Sequence, residues 1–299
     1  MIYIVGMLAA VVAAWLLWRR TAAFIKKLHA KAAALESAVL RLLELKTEEN
    51  RCILLREPKY EDPKRLSRYE ATVSSQSGED GILAETFRRI GTTNKVFAEF
   101  GCGDGSENNT GYLLNCGWSG LWIEGDRGAA ERAARDFARP IGDGRLKLYR
   151  EFVTAENIAG LFLRAGLPAE PDLLSIDIDG NDYWIWEALY ACRARVVVME
   201  YNAIFPPGID WVMDYDAEAR WDGSSHFGAS LSAFERLGNK KGYSLVGCNL
   251  AGVNAFFVRQ DLVSNRFTEP FTTQNHYEPP RYFLGRSKAG HPRRPSSFA

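Results

Sequence analysis

The chain lacks several features that mark large classes of protein. Charge of one sign is not in excess, because 37 Lys and Arg stand against 37 Asp and Glu in 299 residues. That excludes a generically basic nucleic-acid binder, and no nucleic-acid partner is expected. The five cysteines, Cys52, Cys102, Cys116, Cys192 and Cys248, are odd in number and scattered, with no CxxC pair and no Cys/His cluster. Neither a disulfide framework nor a zinc site can be read from them, so a reducing compartment is expected. No GKS or GKT is present and no glycine run has GxGxxG spacing, which removes the P-loop and the dinucleotide fingerprint. With 46% hydrophobic and 12% aromatic residues the chain nevertheless has enough apolar side chains to bury a full core.

Two further absences organise the front of the chain. Ile2 to Trp18 contains no charged residue, and Arg19, Arg20, Lys26, Lys27 and Lys31 follow. An apolar helix of about 17–20 residues just spans a hydrocarbon core of roughly 30 Å, and Trp15 and Trp18 stand where an interfacial aromatic belt would put them. Residues 1–20 are therefore expected to form a single transmembrane anchor. A cleaved signal peptide, which would carry its basic residues before the apolar run, and a buried core helix are the rival readings. Positive flanks stay cytoplasmic, which places everything after the anchor in the cytoplasm. From Thr21 to Glu49 there is no Gly or Pro, and Ile25, Leu28, Ala32, Leu35, Val39 and Leu42 recur at spacings of three and four. This reads either as a coiled-coil stalk over 21–56, able to form a homodimer, or as an amphipathic helix on its own domain or on a membrane surface. EPKYEDPK, Glu57 to Lys64, then opens a linker over 57–74.

From Val96 onward short apolar runs alternate with helical patterns, which predicts an α/β domain on a mainly parallel sheet. The runs are KVFAEFG (Lys95 to Gly101), LWIEGD (Leu121 to Asp126), LKLYREFV, DLLSIDID (Asp172 to Asp179) and RVVVMEYN (Arg195 to Asn202). The last two are almost wholly apolar, as central strands covered on both faces should be. Helices are predicted from the SENNT segment through Leu114 with Ser106 or Asn108 as cap, over 128–138, 155–165 and DYWIWEALY, and over 227–237. YSLVGC and VNAFFVR flank a turn at 250–252 and form a hairpin. The expectation is a Rossmann-like sheet of seven strands, mostly parallel, with an antiparallel last strand.

The first strand ends in EFGCGDG, where Gly101, Gly103 and Gly105 let the backbone approach a ligand closely. Glu99 and Asp104 make this loop acidic, which suits a cationic amine or sulfonium better than phosphates. Glu124 ends the second strand, where a carboxylate can accept both ribose hydroxyls. The residues SQSGEDG (Ser75 to Gly81), EFGCGDGSENNT (Glu99 to Thr110), GLWIEGD (Gly120 to Asp126), LLSIDIDGNDYWIWEAL (Leu173 to Leu189) and VVVMEYNA (Val196 to Ala203) resemble the S-adenosylmethionine-dependent methyltransferases of the Rossmann-like class, and among them the FkbM-type family. The resemblance runs from Ser75 to Arg259 and implies a methyltransferase domain over 75–262, followed by an extension over 263–299. It implies S-adenosylmethionine as cofactor, with Glu99 and the Gly101–Gly105 loop facing the methionine part and Glu124 holding the ribose. Asp177 joins Glu99, Gly101, Gly103, Gly105 and Glu124 in the cofactor-binding set. Where many of these sequences read DVEG this chain reads DIDG, so Asp179 stands in place of a glutamate. No acidic partner for the adenine ring follows the third strand, and Val153, Thr154 and Glu156 are the nearest candidates.

Methyl transfer to a hydroxyl needs alignment and a base or metal to take up the proton. Asp177, Asp179 and Asp182 leave the fourth strand, and Glu200 and Asn202 leave the fifth, over the crevice where ligands bind in open α/β sheets. These oxygens suit Mg²⁺ or Mn²⁺. They equally suit a base or acceptor-binding role without metal, or simple capping of the next helix. Asp179, Glu200 and His226, the last in GSSHFGAS, are the candidate catalytic residues. Tyr183, Trp184 and Trp186 read as helix-packing residues with an acceptor platform as the alternative. Tyr201, Phe205, Pro206, Pro207, Trp211 and Trp221 belong to an insertion that would wall the acceptor side. The tail from Gly285 is basic with Pro and Ser, as a solvated, disordered segment would be. Together these features predict a membrane-anchored methyltransferase acting on a hydroxyl of a sugar or of another small or lipid-linked acceptor. Because DID is also a DxD pattern, a nucleotide-sugar glycosyltransferase is one alternative, and a non-catalytic membrane-tethered binding module is another.

Overall fold

The computed structural model describes residues 2–285, apart from the side chains of 2–5 and 8–11. The chain divides between Asn50 and Arg51. The first unit is the front of helix α1 (Ile2–Leu54), so the expected anchor and stalk are one uninterrupted helix. Among the described residues no helix is long and apolar enough to cross a membrane. The anchor reading is thus not carried by the fold, and residues 1–5 and 8–11, which would supply much of it, fall outside the described side chains. Along the expected seam Leu28, Leu35, Val39 and Leu42 are exposed. The tail beyond Gly285, expected to be disordered, lies outside the described residues.

The second unit is built on α2 (Glu79–Ile90), β1 (Val96–Phe100), α3 (Gly111–Asn115), β2 (Ser119–Ile123), α4 (Arg127–Asp136), α5 (Ala138–Gly142), β3 (Leu146–Tyr149), α6 (Ile158–Arg164), β4 (Leu173–Ile176), α7 (Asp182–Ala188), β5 (Val196–Glu200), α8 (Leu231–Lys241), β6 (Tyr243–Cys248), β7 (Asn254–Arg259), α9 (Gln260–Val263) and α10 (Thr273–His276). The strands form one seven-stranded sheet in the order β3-β2-β1-β4-β5-β7-β6. All pairs from β3 to β5 are parallel, whereas β7 lies antiparallel between β5 and β6. The expected Rossmann-like sheet is therefore present, and its last strand inserts inside the edge rather than ending it.

Alternation along each strand divides the core between two faces. Ala98, Phe100, Leu174, Ile176, Val197 and Met199 pack with α6, α7 and α8 residues such as Phe162, Trp186 and Phe234. Phe97, Leu173, Val196, Val198 and Phe256 pack on the other face with Ile82, Leu83 and Phe87 of α2. By the same alternation Glu99, Asp177 and Glu200 fall on the α2 face at the carboxyl ends of their strands. The segment 57–74, expected as a linker, is packed, and its Tyr60 and Leu66 are fully buried. Tyr60 donates to Glu278 at 2.7 Å, so the chain beyond β7 closes on the segment before α2. At the opposite end of the sheet Asp172 accepts N–H groups from Thr93, Asn94 and Lys95 and pairs with Arg195 at 2.8 Å.

Candidate active site

The glycine loop after β1 contains three left-handed glycines, Gly101, Gly103 and Gly105, which serve two different purposes. A Cβ on Gly101 (φ +77°) would stand 1.7 Å from the Asp177 carbonyl oxygen, and one on Gly105 (φ +81°) 2.5–2.9 Å from the rings of Phe137 and Trp122. These two glycines serve the packing of the protein itself. Gly103 (φ +57°) meets nothing within 4 Å. Of the three, Gly103 alone faces open space, as a loop that admits a ligand to its backbone must. Its N–H donates to Glu124 Oε2 at 2.7 Å, and Asp126 N–H donates to Glu124 Oε1 at 2.7 Å. Burial raises the Glu124 carboxyl above its ordinary value, against the pull of these two N–H groups. The structure thus joins Glu124 to the glycine loop.

Glu99 is 2% exposed, and its oxygens take the Asn109 N–H at 2.8 Å, the Asn108 amide at 2.8 Å, the Thr110 N–H at 3.3 Å and the Thr110 hydroxyl. Trp122 Nε1 donates in turn to that hydroxyl at 2.7 Å. Burial pushes the Glu99 carboxyl up to about 7, while the Thr110, Asn109 and Asn108 donors hold it down. The carboxylate thereby fixes the turn into α3. Ser106 and Asn108 do not cap α3, because the N-cap position is held by Thr110.

The acidic residues after β4 and β5 separate into two groups. Asp182 accepts from Ile178 N–H at 2.8 Å and Gly180 N–H at 2.9 Å, which ties the DIDG turn to α7. Burial still raises its carboxyl to about 6. Asn202 is fully buried and donates to the Ser225 and Phe227 carbonyls at 2.8 and 3.0 Å. Both residues are structural and leave the expected ligand set. Asp177, Asp179 and Glu200 remain, each with a carboxylate oxygen within 4.8 Å of the others. Burial, and then the charges of neighbouring carboxylates, Asp179 and Asp182 for Asp177 and Asp177, Asp182 and Asp179 for Glu200, drive both groups well above the ordinary carboxylate range. Asp179 is exposed and in a left-handed conformation (φ +55°), a backbone cost that functional turns often carry.

His226 is exposed and meets Trp211 edge to face at 5.4 Å. Its neighbours Ser225 and Phe227 are held by Asn202, and Gly228 N–H donates to Gly180 O at 3.1 Å. The segment carrying His226 is thereby fastened to the ends of β4 and β5. The insertion after β5 is pinned in the same way. Trp184 Nε1 donates to Met213 O at 2.8 Å, Asn181 to Asp216 O at 2.8 Å, and the Tyr215 hydroxyl to Glu156 at 2.6 Å. Tyr183 and Trp186 are core residues, as the packing reading expected. Glu156 accepts from the Tyr215 hydroxyl, and Thr154 N–H donates to Asn157. Sequence reasoning passed over Phe152. Its ring fills the space a Cβ on Gly125 would need, at 2.3 Å, and Arg220 of the insertion lies 3.8 Å above its centre. The signal available was an aromatic residue just past the third strand, opposite a glycine after the second.

No family model matches the chain, and no curated protein matches it. Solved structures that match part of the chain include S-adenosylmethionine-dependent methyltransferases, several of them holding SAM or SAH. Magnesium protoporphyrin IX methyltransferase from Synechocystis PCC 6803, with bound SAH, has 11% identity over 60% of this chain and 81% of its own, at a TM-score of 0.41. A methyltransferase from Clostridium acetobutylicum has 10% identity over 59% of this chain and 89% of its own, at 0.35. An O-methyltransferase from neocarzinostatin biosynthesis, in complex with SAH and 1,4-dihydroxy-2-naphthoic acid, has 17% identity over 60% of this chain and 52% of its own, at 0.37. These likenesses are low, and the functional reading below rests on the residues of this chain.

Proposed function

We propose that this chain is an S-adenosylmethionine-dependent methyltransferase of the Rossmann-like class, akin to the FkbM type, that methylates a hydroxyl of a sugar or of another small or lipid-linked acceptor. The observation that carries the reading is the junction of Gly103 with Glu124. A left-handed glycine with open space before it donates to the carboxylate that ends β2, so a ribose and the chain leading from it have a surface to occupy. Asp177, Asp179 and Glu200 lie at the ends of the next strands, where an acceptor hydroxyl aligned with the sulfonium methyl would lose its proton. In that step the acceptor oxygen bonds to the methyl carbon, the sulfur–methyl bond breaks, and the hydroxyl proton passes to a carboxylate. The insertion from Phe205 to Trp221, pinned through Met213, Tyr215 and Asp216, supplies the acceptor wall.

Membrane anchoring belongs to the same proposal and is supported by the uncharged run Ile2 to Trp18 with Arg19 and Arg20 behind it. The exposed seam of Leu28, Leu35, Val39 and Leu42 supports pairing of two stalks. Incubating the full chain with S-adenosylmethionine and a panel of sugars and lipid-linked sugars, and measuring S-adenosylhomocysteine, tests the reaction. Release that depends on one acceptor supports it, and a folded chain that turns over with none makes it a binding module. A reporter fused after Ala299 should be active in its cytosolic form alone, and the reverse result would overturn the orientation.

A further inference from the structure

Resting on that reading of the site, we propose that Asp177, Asp179 and Glu200 hold one divalent cation, with the amide oxygen of Asn254 beside them. The argument is a contrast among neighbouring acids. Glu99 has four donors, Asp182 has two backbone N–H groups, and Glu79 takes Asn249 at 2.8 Å, Asn254 at 2.9 Å and Ser77 N–H at 2.7 Å. Asp80 accepts the N–H groups of Val73, Ser74 and Ser75 at 2.7–2.8 Å. The protein satisfies each of these with its own donors, as buried carboxylates require. Among the described residues no Lys, Arg or His side chain and no backbone N–H pairs with Asp177, Asp179 or Glu200, whose carboxylate oxygens lie within 4.8 Å of one another. Glu200 Oε2 is buried with no donor at all.

Asn254 is a second and independent observation. It stands directly across the β5–β7 ladder from Glu200, so the two side chains share the α2 face of the sheet. It is 3% exposed, its amide nitrogen is committed to Glu79, and its Oδ1 is buried without a donor. Glu79 therefore fixes the amide so that an oxygen is left over beside Glu200. A buried orphan oxygen is costly unless something positive or hydrogen-donating meets it. Carboxylate and amide oxygens, with no Cys or His among them, select hard cations, Mg²⁺ or Mn²⁺, over zinc. Because Asp179 is exposed, such an ion would have a solvent side free for an acceptor oxygen.

The test is titration of the chelator-treated full chain with Mn²⁺, read by electron paramagnetic resonance and by calorimetry, with S-adenosylmethionine binding measured in parallel. One Mn²⁺ per chain is expected, weakened roughly 100-fold by Asp179→Asn or Glu200→Gln and roughly tenfold by Asn254→Leu, with Glu131→Gln as an unaffected surface control. Asp179 is exposed, so its variant should fold with an unchanged thermal midpoint even if the buried variants do not. A folded wild type that binds no Mn²⁺, or Mn²⁺ binding untouched by Asp179→Asn, overturns the proposal. If S-adenosylmethionine binds while Mn²⁺ does not, the cofactor reading stands without the metal. Mn²⁺ binding without the cofactor gives the opposite separation.

Discussion

Replacing Glu99 by Ala distinguishes a structural carboxylate from one that waits for a ligand. In the folded chain its two oxygens take three N–H donors, from Asn108, Asn109 and Thr110, and a hydroxyl that Trp122 also holds. Alanine leaves those N–H groups without an acceptor in a buried place, and at roughly 1–2 kcal/mol for each the loss is about 4 kcal/mol. In a unit of this size about 1 kcal/mol moves the midpoint by roughly 2–4 °C, so the variant should melt roughly 8–16 °C lower. The difference should also depend on pH. Burial places the folded-state value near 7, above that of the unfolded chain, so the stabilisation is complete below the unfolded value and is lost as the pH rises to about 7. Alanine does not titrate, so the advantage of the wild type should be greatest near pH 5 and shrink by up to about 3 kcal/mol towards pH 8. Calorimetric melting of both proteins at the two pH values, followed by cofactor titration of the folded variant, gives the comparison. An unchanged midpoint together with abolished cofactor binding would refute the reasoning, because the carboxylate would then be held for the ligand.

The glycines of the same loop should respond unequally. Gly101→Ala drives a Cβ into the Asp177 carbonyl and should prevent folding, whereas Gly103→Ala costs about 1–2 kcal/mol of left-handed strain, folds, and binds S-adenosylmethionine poorly. Soluble expression and cofactor titration of the two variants check this, and equal behaviour would remove the distinction. At the far end of the sheet, burial opposes the charge on Asp172, but Arg195 and the N–H groups of Lys95, Thr93 and Asn94 hold its carboxyl below the ordinary value. Its contribution is present above the unfolded value and is lost as the pH falls through the lowered one. Asp172→Ala, which strands Arg195, should cost about 3–5 kcal/mol in thermal unfolding while leaving cofactor affinity per folded molecule unchanged.

Local pattern made most of the sheet legible. The apolar runs at Leu173–Ile176 and Val196–Glu200 are buried on both faces, and Ser230, not the expected Phe227, starts α8 through its hydrogen bond to Ala233 N–H. What local pattern could not show depends on partners distant in sequence. The helix Glu79–Ile90 was not foreseen because Glu79, Asp80 and Glu85 are themselves buried, which blurs its apolar face. Tyr60 lies in a segment that reads as a linker, and its partner Glu278 is 218 residues away. For the site, Glu124 and Gly103 were readable from strand ends and glycine spacing. The roles of Glu99, Asp182 and Asn202 were not, since a carboxylate or amide at a strand end reads alike whether its partner is a ligand or the backbone of its own loop. Among the acids after β4 and β5, donors separate Asp182 from Asp177, Asp179 and Glu200, and donors are a property of the folded chain.

Calorimetric titration of the full chain with S-adenosylmethionine, beside UDP-sugars with Mn²⁺, tests the central claim most directly, with Glu124→Ala as control. Micromolar binding of S-adenosylmethionine that is lost in the Glu124 variant, with no heat from the UDP-sugars, is the result expected. A folded chain that ignores S-adenosylmethionine, or binds the UDP-sugars in its place, would contradict the claim.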